Sequence, residues 1–364
     1  MAHLTDILYT VALEQVIGNT NLEISGLAFD SRKVTSNSLF VAIKGTVSDG
    51  HLFIEKAVSL GAKAIICEEI PSNLTDGITY LKVKNSAKAL GTIATNYYQH
   101  PSKNLKLVGV TGTNGKTTVA TLLYKLFREL GFKVGLISTV ENQINDIIIP
   151  STHTTPDPIA LNELLLDMVN SGCDYCFMEV SSHAVAQYRI EGLAFTGAIF
   201  TNITHDHLDF HLTFENYIKA KKAFFDGLPK SAFALTNTDD KNGMVMLQNT
   251  KASKKTYALK QMADFKAKVA LEAIRGDLTL AELAAKHGVH HTMIASWKRQ
   301  AIDGMAGTFS GAGDVARAAS ESEVEKLHAK IGQLVVERDF LESSIWEEPL
   351  RLQPDTGFSL RLAR

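Results

Sequence analysis

The residues best equipped for chemistry lie between Leu105 and Thr118, in LKLVGVTGTNGKTT. A short run rich in branched apolar residues turns through Gly112-Thr113-Asn114-Gly115 and enters a helical pattern, Lys116 to Leu130. A strand that breaks into a Gly-rich turn and opens a helix makes a phosphate cradle. Its glycines let backbone N–H groups approach an anion, and the helix N-terminus adds partial positive charge. In such a cradle Lys116 reaches the β- and γ-phosphates and Thr117 offers its hydroxyl to Mg²⁺, with Thr118 in the first helical turn. The strict spacing Gly-x-x-x-x-Gly-Lys-Ser/Thr is not met, because Val110 stands at its first position with Gly109 and Gly112 on either side. The loop is therefore a variant, and a structural turn is the alternative reading.

Further reactive residues follow other apolar runs. Near the end of DYCFMEV stands Glu179, followed by Ser181, Ser182 and His183; after GAIFTNI come Thr204, His205, Asp206, His207 and Asp209; after KVGLIST and its loop come His153, Thr154, Thr155 and Asp157. A carboxylate and an imidazole beside a γ-phosphate would hold a divalent ion or position water around one. The bland alternatives are a capping or ion-paired Glu179 and a polar loop at His205–Asp209. Histidines also suit zinc, but the neighbouring phosphate loop favours Mg²⁺. Cys173 and Cys176 form a Cys-x-x-Cys within an apolar run. No second pair follows at zinc spacing, and a redox pair prefers a helix N-terminus, so core packing is expected. Lys219, Lys221 and Lys222 sit on a helical segment and read, on spacing alone, as a solvated basic face.

These residues need elements to hold them at the ends of strands. Residues 1–100 predict a small α/β domain: a helix in LTDILYTVA, strands in ISGLAF, SLFVAIKG, AKAIICEE and YLKVKN, and helices in HLFIEKAVSLG and SAKALGTIATNYYQH. The polar turn Asp30-Ser31-Arg32 would hold an anionic or sugar ligand or be an ordinary turn. Residues 101–104, PSKN, mark a boundary. From 101 to 257 strands and helices alternate as in a doubly wound domain, whose ligands sit at the carboxyl ends of the strands. Residues 262–342 read as all-helical.

Composition bounds the reading. The chain has 364 residues, enough for two or three domains, with ordinary soluble composition and a net charge of −2 that argues against a whole-chain polyanion binder. No run of about 18 apolar residues predicts a membrane span, and the acidic start MAHLTDILYTVALEQV is unlike a signal peptide. Three cysteines suit a reducing cytoplasm.

The segments FDSRKV, SLFVAIKG, GVTGTNGKTT, HTTPDP, MEVSSHAVAQYR, FTNITHDHLDFH and YIKAKKAFF occur in an order and spacing that resemble the Mur ligase family. Within it they look like the E-type branch, which adds the third stem amino acid to UDP-MurNAc-L-Ala-D-Glu through an acyl-phosphate. The resemblance covers 1–257 and implies a UDP-substrate-binding domain (1–100) and a central ATP-binding domain (101–257). It implies that Gly112 to Thr118 bind ATP and that Thr117, Glu179, His207 and a CO₂-carbamylated Lys221 hold Mg²⁺. Lys116, Glu179, His207 and Lys221 would then be the catalytic set. Phe29, Ser31, Thr46, Val47 and Ser48 would meet the UDP moiety. Thr154, Thr155, Ser181, Gln187 and Arg189 would contact the rest of the UDP-MurNAc-dipeptide.

Beyond about residue 257 the wording changes. MADFKAKVALEAIRG, LTLAELAAKHG and VHHTMIASWKRQAI predict three helices with a short Gly turn, a helix-turn-helix pattern over 258–308. His290, His291, Thr292, Ser296, Lys298 and Arg299 would face DNA. DGMAGTFSGAGDVARAAS reads as a linker, assigned to 309–320. Val324, Leu327, Ile331, Leu334 and Leu341 fall on heptad positions of a short coiled coil over 321–342, suggesting dimerisation. Residues 262–341 resemble the helix-turn-helix subunit of insertion-sequence transposases, while 343–364 match no pattern. A mobile element inserted in a ligase gene would produce this order. The family's third domain, which binds the incoming amino acid, is not recognisable here. The expectation is thus a ligase disabled for the complete reaction, the alternative a DNA-binding fusion carrying a ligase fragment.

Overall fold

The computed structural model describes residues 1–45, 48–206, 208–258 and 260–309, without the side chains of 208–209, 260–264 and 304–309. Its fold is α/β, with helices following at the C-terminal end, and it divides into two compact units, 1–260 and 261 onward.

In the first unit, a five-stranded sheet runs in the order Leu13–Ile17, Thr79–Val83, Ala62–Cys67, Ser38–Val41, Gly26–Ala28; only the Leu13–Ile17 strand is antiparallel to its neighbour. The helix expected over LTDILYTVA is a single turn, Leu4–Ile7. Thr10 takes a left-handed φ of 62°, which ends helical continuation, and Leu13–Ile17 becomes a strand that the apolar pattern did not predict. Asn85 caps the helix Ser86–Tyr97 by accepting from the Lys88 N–H.

Ala2–His3 and Glu23–Ile24 pair as a small antiparallel sheet, and an eight-stranded sheet follows. Its order is Ile147–Pro150, Glu141–Ile144, Val134–Ile137, Tyr175–Glu179, Lys106–Thr111, Phe195–Phe200, Phe233–Asn237, Ser253–Tyr257. All pairings are parallel except those made by Glu141–Ile144 with its two neighbours. Both faces of the central strands are buried, which is why they read as continuous apolar runs. Alternation along Lys106–Thr111 sends Leu107 into one core, with the helices Pro158–Asn170 and Phe214–Asp226, and Val108 and Val110 into another, under the helix Lys116–Glu129. Cys176 and Met178 join the first core and Phe177 the second. The Cys-x-x-Cys is packing: both thiols are free and buried, and burial pushes both upward from the ordinary thiol range.

The chain runs from Lys106–Thr111 to Val134–Ile137, two places away, then back to Tyr175–Glu179 in between, and only then across to Phe195–Phe200. The sequence of strands therefore reverses direction at Lys106–Thr111, whose carboxyl end opens a crevice.

In the second unit, the helices Lys260–Arg275, Leu280–His287 and His291–Phe309 enclose Val269, Ala270, Ala273, Leu283, Ile294 and Trp297. Thr279 and Glu282 form a reciprocal capping box at the start of the second helix. The third helix continues to Phe309, through Asp303 and Gly304 where the linker-like composition begins. The coiled coil over 321–342 and the tail 343–364 lie outside the described residues.

Candidate functional site

The phosphate loop is built where that crevice opens. Gly112 has φ +153°, and a Cβ there would stand 2.0 Å from Thr201 Oγ1, so only glycine fits. The loop is tied to the end of Phe195–Phe200. The Thr113 N–H donates to Asn202 O (2.8 Å) and the Asn114 N–H to Asn202 Oδ1 (3.0 Å). Thr201 Oγ1 donates to Asn114 O (2.7 Å), and the Thr204 N–H donates to Thr113 Oγ1 (2.9 Å). Gly115 then starts the helix Lys116–Glu129 with φ +83° and no side-chain cap. The first amides of that helix are therefore available to an anion.

Two lysines converge on one carbonyl. Lys116 Nζ donates to Gly112 O (3.0 Å) and Thr113 O (2.9 Å), and Lys221 Nζ donates to Gly112 O (2.9 Å). Lys221 is 1% exposed, with its Nζ 4.7 Å from the centre of the Tyr217 ring. Burial, reinforced by the nearby Lys116 charge and opposed by Asp206, pulls its ammonium down to about 7. Burial also lowers Lys116, with Glu179 and Asp206 opposing. The solvated basic face expected from spacing holds for Lys219, which is exposed and pairs with Glu215; Lys221 instead points inward.

A cavity of about 300 Å³ adjoins the loop. It is lined by Lys116 and Thr117 from the loop helix, Thr154, Thr155 and His153 from the segment before Pro158–Asn170, and Glu179, Ser181, His183 and Arg189 after Tyr175–Glu179. Thr139, also on its wall, completes the set. Glu179 is fully buried, and its Oε1 accepts from the Thr139 N–H (2.7 Å) and Thr139 Oγ1 (3.2 Å). Its Oε2 is buried with no hydrogen-bond partner. A lone carboxylate oxygen in this position costs free energy unless a cation or donor arrives. Thr155 Oγ1 donates to Glu179 O (2.9 Å) and accepts from the Ser181 N–H (3.2 Å). Arg189 donates to Gln187 Oε1 through Nε (2.9 Å) and Nη2 (2.6 Å), and to Thr155 O through Nη1 (2.8 Å). These three bonds leave one N–H on each terminal nitrogen for a ligand.

The crevice thus gathers Lys116, Thr117, Thr154, Thr155, Glu179, Ser181 and Arg189, with Gln187 bonded to Arg189 and Lys221 bonded to the loop. Phe29, Ser31 and Ser48 do not line this cavity. Phe29 packs against the first sheet's core, Ser31 is buried in the turn that Asp30 caps, and Ser48 is exposed. The Arg32 guanidinium holds the Asp30 carboxyl down at about 2. Thr46, Val47 and His207 lie outside the described residues. Thr139 and Asn202 were not singled out from the sequence. Each lies two residues past the end of an apolar strand, the one positional signal that marks them.

In the second unit, Thr292, Ser296 and Arg299 share an exposed face, and His290 and His291 are exposed beside it. Lys298 departs from the expectation: its Nζ donates to Ala273 O (2.9 Å), so it joins the first helix to the third instead of facing outward.

With this geometry in hand, comparison with known proteins is decisive. The family model described as the Mur ligase middle domain matches residues 110–296, just over half of the chain, and the one described as the Mur ligase family catalytic domain matches 23–98. The chain belongs to the Mur ligase family. Curated Mur ligase relatives include a UDP-N-acetylmuramoyl-L-alanyl-D-glutamate–2,6-diaminopimelate ligase of Cytophaga hutchinsonii, 58% identical over 272 residues, which are 74% of this chain and 56% of the relative. A ligase of the same description from Clostridium acetobutylicum is 46% identical over 264 residues, 72% of this chain and 54% of the relative. The chain spans about half the length of the curated relatives it matches. A solved structure of a UDP-N-acetylmuramoyl-L-alanyl-D-glutamate–2,6-diaminopimelate ligase shares the Mur ligase fold, with a TM-score of 0.60 and 24% identity over 71% of this chain and 52% of that one. A transposase family model matches 262–332, overlapping the end of the middle-domain match, whereas the structure changes unit at Lys260.

Proposed function

We propose that residues 1–257 bind ATP and UDP-N-acetylmuramoyl-L-alanyl-D-glutamate and activate the substrate carboxylate for amide formation. The observation that carries this reading is the unpartnered Glu179 Oε2, buried in the same cavity as Lys116 and Thr117. Hydroxyl and carboxylate oxygens beside a phosphate cradle fit Mg²⁺. Among the described residues no three of His, Cys, Asp and Glu cluster as a metal site. Thr117 and Glu179, together with His207 and a carbamylated Lys221, are the proposed holders of Mg²⁺, which when bound neutralises charge on the transferring phosphoryl group.

The remaining steps fall to this chain's own residues. Lys116 and the first amides of its helix take the ATP phosphates, with Gly112 to Thr118 shaping the cradle. The two open N–H groups of Arg189 suit a substrate carboxylate, which is placed by Thr154, Thr155, Ser181 and Gln187 to attack the γ-phosphate. The carboxylate oxygen forms a bond to phosphorus, ADP leaves, and an acyl-phosphate results; an incoming amine then displaces phosphate. Lys221, with its amine brought near neutrality, has a lone pair to attack CO₂, releasing one proton and leaving a carbamate. Phe29, Ser31, Thr46, Val47 and Ser48 form the proposed UDP edge.

We further propose that this carboxylate activation outlasts a lost or impaired final step, because after Tyr257 the chain continues into the transposase-like unit. A cytoplasmic setting belongs to the same proposal; among the described residues no helix is long and apolar enough to cross a membrane. The test is ADP formation from Mg·ATP by the full chain with the UDP-dipeptide, with and without diaminopimelate. ADP that requires the dipeptide, without tripeptide product, is expected. Rapid tripeptide turnover would overturn the impairment, and absence of dipeptide-dependent ADP would overturn the carboxylate activation.

The exposed Thr292–Ser296–Arg299 face and the transposase match favour a second reading for the second unit, DNA binding. Its test is the salt dependence of duplex binding by the full chain. Affinity that does not fall with salt would exclude phosphate contacts by this face.

A further inference from the structure

A second and larger cavity, about 840 Å³, lies where the helix Ser86–Tyr97 meets the segment Tyr188–Gly192. It is distinct from the crevice above: the two share no lining residue. Its size is that of a small-molecule site. Lys84, Lys88 and Lys103 line it, all exposed, with His100 beside them; Glu191 is its one acidic residue. The Lys88–Glu191 pair spans a loose 3.6 Å. The wall is therefore cationic on a chain whose net charge is −2.

Thr95 supplies an independent observation. Thr95 lines this cavity and is 1% exposed, and its Oγ1 is buried without a hydrogen-bond partner. Gly192 is pressed against it, since a Cβ there would stand 2.8 Å from Thr95 Oγ1. An unmet hydroxyl and three lysines lining one cavity are a combination that an anion with acceptor oxygens would complete. Tyr9 and Tyr188 give the same cavity aromatic walls for a ligand body.

We propose that this cavity is a binding site for a small phosphorylated molecule, separate from the nucleotide and UDP-substrate sites. The phosphoryl oxygens meet Lys84 and Lys103, and the Thr95 hydroxyl donates to the ligand. The site lies one residue away from the first in sequence: Arg189 lines the crevice, and its neighbour Tyr188 lines this cavity.

The experiment is calorimetric titration of inorganic pyrophosphate into the full chain, the Lys116→Ala variant and the Lys84→Ala/Lys103→Ala variant. Because Lys84 and Lys103 are exposed, their removal leaves the fold intact. Two binding events are expected in the full chain. Lys116→Ala should abolish one and spare the other, and the double variant should weaken the spared one at least tenfold. Thr95→Val gives a second readout: unfolding stability unchanged or raised, because an unmet hydroxyl is removed, yet weaker pyrophosphate binding at this site. A double variant that binds pyrophosphate like the full chain would overturn the proposal, as would a single event lost entirely in Lys116→Ala. Failure of the phosphate loop alone would instead leave the Lys84/Lys103-dependent event in place.

Discussion

Lys221 shows how burial changes what a side chain is for. Its depressed ammonium means that the folded protein binds fewer protons than the unfolded chain between about pH 7 and the ordinary lysine value of 10.5. Stability therefore rises with pH across that window, and the burial penalty is fullest at and below pH 7. Lys221→Met should stabilise the ligand-free, metal-free protein by on the order of 3 kcal/mol at pH 7, with the gain shrinking to about a third by pH 9.5. Urea unfolding at the two pH values checks this; a gain that grows with pH would contradict it. Glu179→Gln keeps the size of the side chain but removes its charge. The thermal stabilisation that Mg²⁺ adds to ATP should disappear in this variant, while metal-free ATP binding changes little; a shift equal to the unmodified protein's would contradict the role of the unpartnered oxygen. Of these two residues, Glu179 was legible from its place at the carboxyl end of an apolar strand. The inward turn of Lys221 was not legible from spacing, because only the packing of Tyr217, Phe224 and Phe225 fixes which helix face is buried. The family resemblance alone singled it out.

At the scale of elements, the strand–turn–helix of the phosphate loop is the part that sequence patterning defines best, since each glycine in it answers a different need. Gly112→Ala puts a methyl group onto Thr201 Oγ1, which is itself engaged with Asn114 O, and should cost more than Gly115→Ala. At Gly115 no atom lies within 4 Å, so only the left-handed backbone is strained, a cost of about 1 kcal/mol. Denaturant midpoints of the two variants test the order, and equal losses would contradict it. The parallel strands were readable because burial on both faces leaves uninterrupted apolar runs. The strand Ser253–Tyr257 was not: it lies at the sheet edge, four of its five residues are exposed, and Lys254 and Lys255 suit an edge that must not pair further. The hairpin Glu141–Ile144/Ile147–Pro150 had a signal in its Asn145-Asp146 turn, where Asn145 takes φ 52°. The mixed polarity of ENQI hid the strand before it.

At the scale of the whole molecule, two chemistries are joined at about Lys260. The first unit carries a crevice suited to phosphate and carboxylate, and the second a small helical core with an exposed polar face. In the sequence, alternating strand and helix patterns give way to helical periodicity alone at 257–262, and the structure changes unit at Lys260. In the second unit Arg299→Ala should lower DNA affinity and flatten its salt dependence, whereas Lys298→Ala should chiefly lower the stability of the three-helix core, because Lys298 bonds to Ala273 O. Filter binding across a salt series, alongside thermal unfolding, separates the two. The central claim is that the variant loop is a working phosphate cradle. Its most direct test is calorimetric titration of Mg·ATP into the full chain and into Lys116→Ala. Saturable binding by the full chain, weakened at least tenfold by the substitution, is the predicted result; equal affinity in the two proteins would contradict the account.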